Sequence, residues 1–186
     1  AYQALRNARE YRGSLDIDVD EAEVLVNEYG ELVDIALRPR FDSHRIIEEF
    51  MILANVAAAE TLETFKIPTI YRTHELPDPL KIEELRGILQ HLKIPFPKGP
   101  VQNPKVLAKV LQQVKSSPVH RLINKLVLRT QARAVYSPDN QGHFGLNLQR
   151  YAHFTSPIRR YADLMVHHGL LTAIKLAKNS FSRPYV

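Results

Sequence analysis

Cysteine is absent from the 186 residues, which excludes disulfide staples and thiolate zinc sites and fits a reducing cytoplasm. No apolar run approaches the roughly 20 residues that span a bilayer, and no basic-apolar-small leader opens the chain. No membrane partner is therefore expected, and a cytoplasmic location is. HExxH is missing, as is any histidine pair at i, i+4, so a zinc site has no specific support. Neither a glycine-rich phosphate loop, a GxSxG elbow nor a Cys-His pair occurs, and nucleophilic catalysis by a side chain has no candidate. Internal repeats and low-complexity runs are also lacking.

What remains is an ordinary globular composition, 45% hydrophobic and 24% charged, long enough for one sizeable core. The net charge of +5 and a pI near 9.5 favour polyanionic partners through counterion release and long-range steering. Alternation of Leu15, Ile17 and Val19 with Asp16, Asp18 and Asp20 has the period of a strand. Strands at about Glu23–Asn27 and Leu32–Leu37, joined at Tyr29-Gly30, complete a small antiparallel meander.

The longest helix is expected over Ser43–Lys66, with Ile47, Phe50, Met51, Ala54, Ala58, Leu62 and Phe65 on one face. Its small central residues would let neighbouring backbone come close. A short strand at Thr69–His74 precedes helices at Pro79–His91, Lys105–Val114 and Pro118–Ala132. A strand over Gly142–Leu148 and a last helix over Ser156–Lys178 follow, the latter packing through Ile158, Tyr161, Ala162, Met165, Gly169 and Thr172. Helix and strand mix without regular β-α-β alternation, and no linker divides the chain. The expected class is α+β, with residues 1–186 in a single domain.

Two constellations could carry chemistry. Asp16, Asp18 and Asp20 share one side of their strand, but successive same-face side chains stand about 7 Å apart, too far to chelate one ion without a bend. A solvated strand edge explains them as well. The second constellation is polar, aromatic and basic. Ser156 can cap a helix whose first position is Pro157, and Arg159 and Arg160 bring charge to the same end, which suits a phosphate. His143 and His153 flank this motif. Glu48, on a polar strip of the long helix with His44 and Asn55, is an acceptor suited to a ribose 2′-OH; a structural ion pair is its alternative role. Such a set fits single-stranded nucleic acid, with bases on aromatics and arginines on phosphates.

The stretch HFGLNLQRYAHFTSPIRRYADLMVHH at 143–168 resembles the signature of the ribonuclease II/ribonuclease R family of exoribonucleases. FDSHRIIEEFMILANVAAAE, YRTHELPD and LRTQARAVYS resemble the same family in the same order, so the likeness runs from about Arg12 to Leu171. The resemblance implies processive hydrolysis of single-stranded RNA from its 3′ end, with Mg²⁺ and release of nucleoside 5′-monophosphates. It also implies flanking RNA-binding modules of the OB type. Arg159 matches the arginine that grips a phosphate near the scissile bond, and Glu48 a residue associated with selecting ribose. His143, Tyr151, His153, Thr155, Ser156 and Arg160 lie in the signature as substrate-binding candidates.

The chain departs from the family in three places. The catalytic aspartates form a tight run in the first half of the family's domain, and no such run occurs here. The aromatic clamp for the terminal nucleotide is not identifiable, and His168 stands where arginine is usual. The chain therefore reads as the C-terminal portion of the catalytic domain, inactive alone, with the Mg²⁺ ligands outside it. The rival readings are a non-catalytic RNA-binding module of the same family and a basic structural or DNA-binding domain.

Overall fold

The alanine-rich run expected as the longest helix is one, α2, Asp42–Thr64, preceded by a polar helix α1, Tyr2–Arg12. The computed structural model describes residues 2–17, 22–37 and 41–174. Between these helices, β1 (Ala22–Val26) and β2 (Leu32–Leu37) form an antiparallel hairpin. Its turn is set by Asn27, whose Oδ1 accepts from the N–H groups of Tyr29 and Glu31. Gly30 there takes φ 79°, a conformation that glycine adopts without steric cost.

The third strand expected around Leu15 does not form as far as the chain is described. Residues 14–17 are irregular, because Leu15 turns into the core and donates its N–H to Gly145 O at 2.8 Å. Asp18, Val19 and Asp20 lie outside the described residues.

β3 (Tyr71–Thr73) pairs antiparallel with β4 (Val135–Ser137). Between them lie α3 (Pro79–His91), α4 (Lys105–Val114) and α5 (His120–Thr130). α3 starts where Asp78 accepts from Leu80 N and Pro79 fills the first turn, a proline position that wastes no hydrogen bond. The last helix, α6, spans Tyr161–Ala173. The architecture is α+β, and no helix among the described residues is long and apolar enough to cross a membrane.

Two apolar clusters organise these elements. Leu85, Leu89, Leu107, Val110, Ile123 and Val127 join α3, α4 and α5 in the larger one. Ala58, Ala59, Leu62, Tyr71, Ala152 and Val166 join α2, β3 and α6 in the smaller. The close approach of α2 and α6 is admitted by a small residue on α6. At Gly169 of α6 an added Cβ would meet the Leu62 side chain at 3.0 Å, so glycine is what allows this approach.

Four expectations are corrected by packing. The buried face of α2 carries Glu49, Ile52, Asn55, Ala58, Ala59 and Leu62, whereas Ile47, Phe50, Met51 and Phe65 are exposed; polar partners inside draw Glu49 and Asn55 inward. Gly142–Leu148 is a tight turn, not a strand, with Gly142 and Asn147 at φ 72° and 51° and His143 and Leu148 exchanging backbone hydrogen bonds. α6 begins at Tyr161 rather than Ser156, and Ser156 is no helix cap. Ile158, expected on the packing face of that helix, is fully exposed.

Candidate nucleic-acid interface

The tight turn at 142–148 is held against β3, and this places the signature residues. His74 N donates to Gly142 O and Phe144 N to His74 O, while Arg72 N donates to Tyr151 O. Gly145 N donates to His74 Nδ1 at 3.0 Å, and a Cβ at Gly145 would come within 2.9 Å of that nitrogen. Glycine is needed there for a close approach. The segment then runs past α2, where Asn55 binds it twice. Its Nδ2 donates to the Tyr151 hydroxyl at 2.9 Å, and its Oδ1 accepts from Phe154 N at 2.8 Å.

This clamp forms one wall of an open cleft of about 370 Å³, in which His44, Glu48 and Asn55 of α2 face Tyr151, His153 and Arg160. The polar strip read on the long helix thus becomes a cleft wall. Glu48, Tyr151, His153 and Arg160 are brought together. Glu48 also forms the ion pair that was its alternative role, with Arg9 Nη1 2.8 Å from its Oε1. Glu48 therefore belongs to the cleft wall and to an ion pair at once.

The Ser-Pro turn is built around a buried carboxylate. Asp163 is fully buried, and its Oδ1 accepts from Ser156 N and from Arg160 Nη2, each at 2.8 Å. Ser156 donates its backbone N–H to Asp163, so that N–H is not offered to a phosphate. The Thr155 hydroxyl is buried without a hydrogen-bond partner among the described residues. Arg159 is exposed on the turn; its backbone N–H donates to Ser156 O, and its side chain has no hydrogen-bond or ion-pair partner among the described residues. It lies close enough to His153 to bear on its charge.

His143 and His153 are held neutral. His143 packs edge-on against Tyr151, outside the cleft lining, with ring centroids 5.2 Å apart. Burial, reinforced by His74, lowers its pKa to about 3. His153 is lowered to about 4, first by burial and then by Arg160, and its Nδ1 lies 2.8 Å from the Tyr136 hydroxyl. Burial raises the Tyr151 phenol. The cleft therefore offers neutral aromatic surfaces, a carboxylate, and a positive margin from Arg159 and Arg160, a combination suited to bases, a ribose hydroxyl and phosphates.

Asn55, Asp163, Arg9 and Tyr136 hold this site together, and sequence reasoning had assigned none of them a role. Asn55 carried a readable signal, a lone amide in an apolar helix; the others did not. No three histidine, aspartate or glutamate side chains converge as a metal site among the described residues. Asp16 instead lies 3.7 Å from Arg9 Nη2.

The fold and cleft define an RNB domain: that family's model matches residues 1–176, and the chain belongs to this family. Curated relatives include bacterial ribonucleases R. It is 47% identical to that of Aquifex aeolicus over 94% of this chain and 25% of the relative. The corresponding figures are 43%, 98% and 26% for Thermotoga maritima, and 40%, 91% and 21% for Escherichia coli. The chain thus spans about a quarter of the length of the curated relatives it matches. Mycoplasma genitalium RNase R in complex with ribose-methylated single-stranded RNA superimposes with a TM-score of 0.85 at 31% identity, over 92% of this chain and 27% of that one. Yeast Ssd1, a pseudonuclease, gives 0.67 at 29% identity, over 77% and 18%.

Proposed function

We propose that this chain supplies the substrate-holding part of an exoribonuclease catalytic domain. The complete protein hydrolyses single-stranded RNA from its 3′ end with Mg²⁺ and releases nucleoside 5′-monophosphates. The observation that carries this reading is the cleft: Glu48, Tyr151, His153 and Arg160 line it and Arg159 stands beside it, in a chain related to ribonucleases R. Arg159 offsets the charge that builds on the phosphoryl oxygens. Glu48 accepts a hydrogen bond from a ribose 2′-OH, and Tyr151 and His153 present ring surface to a base.

The described residues do not fit Mg²⁺, since no group of acidic or histidine side chains among them converges to hold a metal ion and Asp16, Glu48 and Glu49 face Arg9. The ion's ligands are assigned outside them, and the 186-residue chain alone holds RNA without cleaving it. The complete protein carries flanking OB-type modules and works in the cytoplasm under this reading. The likeness to a pseudonuclease, Ssd1, favours a second reading, an RNA-binding module of the same fold without catalysis.

Nucleotide release from a 3′-labelled single-stranded RNA separates the two. The complete protein is expected to release monophosphates until Mg²⁺ is chelated. Arg159→Ala is expected to slow that release about a hundredfold or more, the usual cost of removing one transition-state donor. Because Arg159 is exposed, the melting temperature should stay unchanged. No release by the complete protein would favour the binding module. Unchanged turnover in the variant would remove the role of Arg159, and release by the 186-residue chain alone would place the metal ligands within it.

A further inference from the structure

Glu48 has two sides. One faces the cleft; the other borders a hollow between α1 and α2 lined by Arg6, Arg9, Asp16, Arg45 and Glu49. Arg9 Nη1 reaches across from α1, 2.8 Å from Glu48 Oε1 and 2.6 Å from Glu49 Oε1. The Arg9 side chain is 15% exposed and that of Glu49 only 6%, whereas Glu48 is 37% exposed.

We propose that Arg9 is a positioning residue for substrate selection: it fixes the Glu48 carboxylate, charged and oriented, so that it accepts the ribose 2′-OH in the cleft. This rests on the role of Glu48 proposed above. The geometry distinguishes it from a pair that serves stability alone. Glu49 is the buried charge that needs compensation, and it has a second arginine, Arg12, whose Nη2 lies 4.0 Å from its Oε2. Contact with the half-exposed Glu48 adds nothing to that requirement. Adjacent residues of a helix point about 100° apart, so a guanidinium bridging both carboxylates restricts the conformers open to Glu48 at the border of the cleft.

The charge state matters as well as the direction. An ionised carboxylate only accepts hydrogen bonds, whereas a protonated one carries a donor that competes for the hydroxyl. Arginine only donates, and Arg9 Nη1 donates to Glu48 Oε1, so Glu48 is the acceptor in this pair. Arg9 is itself anchored to the signature turn through α1. Arg12 Nε donates to Leu146 O at 2.9 Å and Leu15 N to Gly145 O at 2.8 Å. The same turn that sets Tyr151 therefore sets Arg9 and, through it, Glu48.

The test compares binding of single-stranded RNA and DNA of one sequence to the complete protein, with Mg²⁺ chelated. Arg9→Lys keeps the charge but not the planar fork. The double variant Arg9→Gln/Glu49→Gln removes the fork without stranding a buried charge, should Arg9→Lys misfold. Each is expected to lower the RNA-over-DNA preference about tenfold, the worth of one charge-assisted hydrogen bond. Adding Glu48→Gln to either should lower it no further, as for residues acting as one unit. A preference retained in both Arg9 backgrounds but lost in Glu48→Gln would overturn the role of Arg9 alone, as would losses that multiply. No preference in the wild-type protein would overturn the role of Glu48 and this one with it.

Discussion

The helical block α3–α5 and the cleft region around α2 both bury polar side chains, and they satisfy them in opposite ways. In the block, Asn124 donates to His120 O and Thr130 to Val127 O, carbonyls of the same helix, and Gln131 just beyond it donates to the Thr130 hydroxyl. In the cleft region, buried Glu49, Asn55 and Asp163 take partners from other elements or from the adjoining turn: Arg9, Tyr151, Phe154 and Ser156. A buried polar group answered within its own helix fills space. One answered from across the chain holds two elements in a fixed relation, and that is where the candidate cleft lies.

Breaking the block should leave the cleft's chemistry intact. Ile123 is fully buried among leucines and valines, and Ile123→Ala should cost about 2–5 kcal/mol of stability, measured by denaturant unfolding. RNA affinity of the folded fraction should not change. A loss of affinity there would mean that the two regions are not separable.

Acid should act on the cleft side first. His143 and His153 have folded pKa values of about 3 and about 4, below the ordinary 6.5, so between these values the unfolded chain binds more protons than the folded one. The stability they contribute is fully present above pH 6.5 and is lost as pH falls toward 4. Thermal melts from pH 7 to pH 4.5 should show this decline, and His143→Gln should flatten it. An equal slope in that variant would assign the decline to other groups.

The smallest effect sharpens the comparison. Tyr151→Phe removes the hydroxyl that answers Asn55 and should cost about 1–2 kcal/mol, seen as a modest loss of stability. Because it loosens the clamp rather than the helical block, RNA affinity should also fall a few-fold at fixed salt. Stability loss with undiminished affinity would reduce Asn55 to a packing role.

Legibility followed the range of the interactions involved. α3 and α4 occupy the residues expected of them, Pro79–His91 and Lys105–Val114, because a cap, a proline and an apolar period all act within a few residues. α1 went unread as a helix: it has no buried residue and docks through arginines. β4 has three residues, too few for a period, and exists because β3 pairs with it. The Ser156 helix start failed for a specific reason. Asp163, seven residues on, takes the Ser156 N–H, and the chain forms a turn before α6 begins.

The amino-acid sequence by itself determined the family, through contiguous signature residues, and most of the helices, through local period and capping. It also placed Glu48 on a polar strip and gathered Tyr151, His153 and Arg160 into one segment. Only the tertiary structure decided that Asn55 clamps this segment to α2, that Asp163 holds the Ser156–Arg160 turn, and that Arg9 meets Glu48. Those contacts join residues up to about a hundred positions apart. Nothing local encodes the Asn55 and Arg9 contacts, because they follow from which faces the apolar clusters bring together, whereas the Asp163 contacts span seven residues or fewer.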